Sequence, residues 1–121
     1  MDIERIILLF RRLSGLSEKD VISFRFMCEA AFSYVDSRLK SDINVSLCGG
    51  RLETAAAALA YYRYVLWCIT DGELNQIKVG ELSSKRNGSA EIDAAEKLCR
   101  QAFSDIADLL EHDGFVFSVI D

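Results

Sequence analysis

The stretch "LETAAAALAYYRYVLWCIT", residues 52–70, is apolar on nearly every side of a helix. Alanines run from 55 to 58, and Leu59, Ala60, Val65, Leu66, Trp67 and Ile69 follow with no polar stripe between them. A helix of that kind lies in the centre of a bundle or in a membrane. Its most apolar part, residues 55–69, is 15 residues long with Arg63 inside, too short and too interrupted to cross a bilayer. The reading is therefore a central helix contacted on several sides. Its alanines allow close approach of neighbours, while Tyr61, Tyr62, Tyr64 and Trp67 need partners for their polar atoms. Asp71-Gly72 ends it.

The flanking sequence supplies the neighbours. Ile3, Ile6, Ile7, Phe10 and Leu13 predict a first helix over about 2–13, with Gly15 as its C-cap. Ser17 reads as the N-cap of a second helix, about 17–40, with Asp20 as an acidic group in its first turn. Its stripe is Val21, Phe24, Cys28, Ala31, Val35 and Leu39, alternating steps of three and four. Residues 41–51, containing Gly49-Gly50, read as a less regular connection. After the central helix, Ser89 is the expected N-cap of a final helix, 89–111, with Ile92, Ala95, Cys99, Ala102, Ile106 and Leu109 as its stripe. Leu98, Phe103 and Leu110 widen it. No proline interrupts any of these segments.

Two pieces break the helical pattern. Residues 77–83 alternate as a short strand, with Ile77 and Val79 on one face and Gly80 suited to a bulge. Lys85, Arg86, Asn87 and Gly88 then form a polar turn. Residues 115–120, after His112-Asp113-Gly114, read as a terminal strand. The expected fold is mainly α: one domain over 1–121, a four-helix bundle-like body with a short β-hairpin or extended loop between helices 3 and 4, and a C-terminal strand.

Chemistry is scarce. The net charge of −5 concentrates in residues 89–121, which hold 2 basic and 8 acidic groups. A sequence-reading nucleic-acid binder normally presents a basic face, so that class is disfavoured. No nucleotide-binding, hydrolase or zinc-protease motif occurs. Four cysteines, Cys28, Cys48, Cys68 and Cys99, show no C-x-x-C spacing, and one histidine, His112, is present. The cysteines read as small buried hydrophobes. His112 reads as a helix C-terminal cation rather than a base. Asp105, Asp108 and Glu111 share one face of the expected final helix and read as surface charge rather than a metal site. No catalytic, metal-binding or cofactor-binding residues are expected, and no cofactor. The first residues lack a leading cationic region, which predicts a cytosolic chain.

The two strand-like pieces carry the functional expectation. Isolated strands of about six residues are marginal alone and must pair, within the chain or with another copy. An apolar edge such as 115–120 is a template for association. These residues point to an assembly protein before any family is considered.

The order of "CEAAFSYVDSRL" (28–39), "ETAAAALAYYRYVLW" (53–67), "IKVGELS" (77–83) and a long final helix resembles the tailed-phage head–tail connector, or adaptor, proteins, of prophage type. The resemblance spans about residues 17–111, and "KVGELS" is its most telling piece. It implies a helical subunit that forms a ring beneath the portal and extends the DNA exit channel, with no catalytic residues. It implies a subunit or portal interface at Ile77, Lys78, Val79, Gly80, Glu81, Leu82, Ser83, Lys85 and Arg86, to which the apolar terminal edge adds Phe115, Phe117 and Val119. It gives Asp105, Asp108 and Glu111 a use as an acidic channel face with low phosphate affinity. The implied partners are the chain itself as a ring oligomer and the portal and tail-completion proteins, with non-specific passage of DNA at most and no membrane. The implied location is the virion, assembled in the bacterial cytoplasm. The alternative reading is a small helical regulatory or antitoxin-like module that docks on one protein partner.

Overall fold

A computed structural model of the chain describes residues 1–70 and 82–111. They form a mainly helical, bundle-like arrangement. The element order is α1 (Ile3–Ser14), α2 (Glu18–Val21), a 3-10 turn (Ile22–Phe24), α3 (Arg25–Ser37), α4 (Val45–Thr70), α5 (Leu82–Asp105) and a second 3-10 turn (Ala107–Leu109).

Helix α4 is the hub, since α1, α3 and α5 all pack against it. Its Leu52, Ala55, Ala56, Ala57, Ala58, Leu59 and Ala60 are all buried, as the lack of a polar stripe requires. Around it lie Ile6 and Phe10 of α1, Cys28, Ala31 and Val35 of α3, and Ala95, Cys99 and Ala102 of α5 with Ile106 just beyond it. The alanines bring helices close, and the larger rings close the gaps. Tyr64 meets Phe10 edge-on at 5.7 Å between centroids and Phe24 at 4.9 Å, and Phe24 meets Trp67 at 5.3 Å. Such pairs add about 0.5–1.5 kcal/mol each beyond the area they bury.

The termini of α1 and α2 follow their sequence signals. Asp2 accepts from the Glu4 amide at 3.0 Å, and Gly15 takes the left-handed conformation at φ 75° while its N–H closes on Arg11 O. Ser17 accepts from the Asp20 amide at 3.0 Å. The second expected helix is not continuous. A 3-10 turn at Ile22–Phe24 separates α2 from α3, and α3 stops at Ser37 rather than at 40.

Three further boundaries differ from the expectations. Residues 45–51, expected to be irregular, are the first turns of α4, and Gly49 and Gly50 are helical. Glycine costs about 1 kcal/mol in a helix, less than the gain from continuing a helix whose nucleus is already formed. Asn44 accepts from the Ser46 amide at 3.1 Å and anchors that start. By the same balance α5 begins at Leu82, so Leu82 and Ser83 are helical rather than part of a strand. Lys85, Arg86, Asn87 and Gly88 form no turn, and Ser89 is inside the helix rather than its N-cap. At the other end α5 stops at Asp105, not Glu111, and the chain tightens into the second 3-10 turn. Among the described residues there is no strand. The one β-type contact is an antiparallel bridge between Leu39 and Leu110. Lys40 N–H donates to Leu109 O at 3.0 Å, and Glu111 N–H to Arg38 O at 2.8 Å.

Candidate functional site

Helices α4 and α5 run antiparallel. Near one end, Arg51 of α4 reaches both the Asp105 carbonyl at the close of α5 and, at 3.2 Å, the Asp108 carboxylate. Towards the other end, burial raises the pKa of Tyr61 and Tyr64, followed by the charge of Glu91 for Tyr61 and by the Cys68 thiol and then Glu91 for Tyr64. Residues 71–81 connect the two helices in sequence. Ile77, Lys78, Val79, Gly80 and Glu81 lie outside the described residues, as do His112, Phe115, Phe117 and Val119. Leu82, Ser83, Lys85 and Arg86 occupy the opening turns of α5.

The three acids do not share a helical face. Asp105 is the last residue of α5, Asp108 is in the 3-10 turn and Glu111 lies beyond it. All three are exposed, yet Asp105 accepts from Gln101 at 3.1 Å and Asp108 is paired with Arg51. Arg51, which the sequence reading left unassigned, therefore offsets part of this negative surface. Its distance in sequence from the acids, across the whole hairpin, left no local pattern to find it by.

Cys28 and Cys99 are fully buried, and loss of water pushes both thiols up to about 12. Cys48 is buried, and Cys68 is partly exposed with its pKa raised by burial, against a hydrogen bond with Tyr64 that lowers it. Among the described residues no group of three or more His, Cys, Asp or Glu is placed to hold a metal. None of the described helices is long and apolar enough to cross a membrane.

What the surface offers is contact area and charge. Ile22 is 71% exposed, Phe26 58% and Leu8 42%. Ile22 and Leu8 line a cleft of about 370 Å³ between α1 and α2, rimmed by Glu4, Arg11, Glu18 and Arg25. On α4, Leu47 is 84% exposed beside Arg51. Exposed apolar groups set among charges suit association with another protein surface better than enclosure of a small molecule. Comparison with family models, with curated proteins and with solved structures finds no match to this chain.

Proposed function

We propose that the chain is a structural subunit of a phage or prophage head–tail connector, a ring that joins portal to tail and surrounds the DNA exit channel. The observation that carries this reading is the α4–α5 hairpin. Its two long helices are held by a central apolar core, and the sequence that joins them carries the "KVGELS" stretch on which the family resemblance rests. A segment that joins two long, packed helices is suited to reach a neighbouring subunit. The exposed Leu8, Ile22 and Phe26 offer further contact area on another part of the subunit. The subunit takes the portal and tail-completion proteins as partners, acts in the virion and uses no cofactor. The acids near the end of α5 face the channel and discourage DNA adhesion, with Arg51 moderating their charge.

Mass photometry of the purified protein, alone and with a portal ring, tests the reading. Oligomers or a portal-bound ring are expected, and replacing residues 72–81 by a short Gly-Ser link is expected to leave a folded monomer that no longer assembles. A chain that stays monomeric and never joins a portal overturns the proposal. One-to-one capture of a single unrelated protein would favour the regulatory module instead.

A further inference from the structure

Two arginines from different helices converge on one aromatic ring. Arg38 caps the end of α3, and its Cζ stands 4.5 Å from the Tyr34 centroid. Arg63 comes from the middle of α4, with its Cζ 5.9 Å from the same centroid. Tyr34 in turn packs edge-on against Phe103 of α5 at 6.3 Å, so the two cations sit on the side of α4 where α3 and α5 meet. A third arginine nearby, Arg100, is matched by Glu96 at 2.8 Å. Among the described residues no carboxylate lies within ion-pair distance of Arg38 or Arg63. The Nε of Arg38 is buried and has no hydrogen-bond acceptor among the described residues.

The tyrosine face offsets the lost hydration of two neighbouring cations only in part. An arginine fork is shaped for both oxygens of a carboxylate. This chain has acids to spare. Glu91, in the first half of α5, is exposed and meets no cation among the described residues. Glu91 stands by Tyr61 and Tyr64, away from the Tyr34 ring. A cationic site and an acidic site on different faces of one subunit make a head-to-tail contact, which closes into a ring when the rotation permits.

The geometry points to a carboxylate subsite, made by Arg38 and Arg63 on Tyr34, that receives Glu91 from a second copy of this chain. The inference rests on the connector reading in so far as it needs self-association. Charge-swap variants followed by sedimentation velocity test it. Arg63→Glu alone, and Glu91→Lys alone, are each expected to weaken self-association by about tenfold or more. Mixing the two variants is expected to restore it, because each copy then offers the charge its neighbour lacks. The acidic-face variant keeps the test sound if Arg63→Glu fails to fold. Wild-type protein that associates while both variants associate equally well overturns the subsite and leaves the connector reading standing. A mixture that does not recover also overturns it. Wild-type protein that remains monomeric, with or without portal, overturns both. Duplex DNA retained by wild type and lost in Arg38→Gln with Arg63→Gln, with association unchanged, assigns the site to phosphate and overturns the carboxylate.

Discussion

Glu53 shows how one polar residue is accommodated inside an apolar hub. It is 6% exposed, accepts from the Asp2 amide at 2.7 Å and pairs with Arg5 Nε at 3.2 Å. Arg5 is largely in water, so the ion pair itself contributes little. The hydrogen bond from Asp2 is the stronger reason for the carboxylate. Glu53→Ala should therefore cost about 1–3 kcal/mol, and Glu53→Gln less, because an amide oxygen still accepts from Asp2. Urea unfolding of the two variants checks the order, and equal losses would show that the charge matters more than the acceptor. The buried thiols give a pH dependence of known sign. Cys28 and Cys99 ionise at about 12 in the folded chain, against 9.0 for an unperturbed thiol. Above that lower value the unfolded chain loses protons that the folded chain retains. Their contribution is complete below pH 9 and is lost as pH rises towards 12. Thermal unfolding at pH 8 and pH 10.5 should show this fall, reduced in a Cys28→Ala, Cys99→Ala variant.

At the scale of elements, apolar spacing was the part of the sequence that could be read. The stripe ending in Cys99, Ala102, Ile106 and Leu109 is buried at each of those positions, even though the helix itself stops at Asp105. Burial depends on which residues face α4, and a 3-10 turn can keep that facing when the α-helix ends. Boundaries set by weak helix formers were not readable. Gly49-Gly50 looked like a break, and Asn87-Gly88 looked like a turn, because local preference was weighed without the adjoining helices. The 3-10 turn at Ile22–Phe24 had no signal, since Val21, Phe24 and Cys28 keep the helical spacing straight through it. The glycines of α4 lead to a direct test. A Cβ added at Gly50 would meet nothing within 4 Å. Gly50→Ala should therefore stabilise the protein by about 0.5–1 kcal/mol, read as a higher urea midpoint with an unchanged slope. Asn44→Ala, which removes the side chain that accepts from Ser46 at the same helix start, should cost about 1 kcal/mol.

For the whole molecule, the central position of α4 was legible because a helix with no polar face has only one place to go. The contact sites were less legible. Arg51 with Asp108, and Arg38 with Arg63 on Tyr34, join residues far apart in sequence, and no short pattern marks such pairs. The bridge between Leu39 and Leu110 is of the same kind and has a consequence in time. Its two hydrogen bonds link the exit of α3 to the last described residues, at a larger loop-closure cost than the short turns elsewhere. It rests on a few bonds at the edge of the core, so it opens more readily than the helices it ties together. In deuterated buffer the amides of Lys40 and Glu111 should exchange well before those within α4, at a rate insensitive to mild denaturant. The fold thus has a clasp that can open at the exit of α3 while the bundle stays shut.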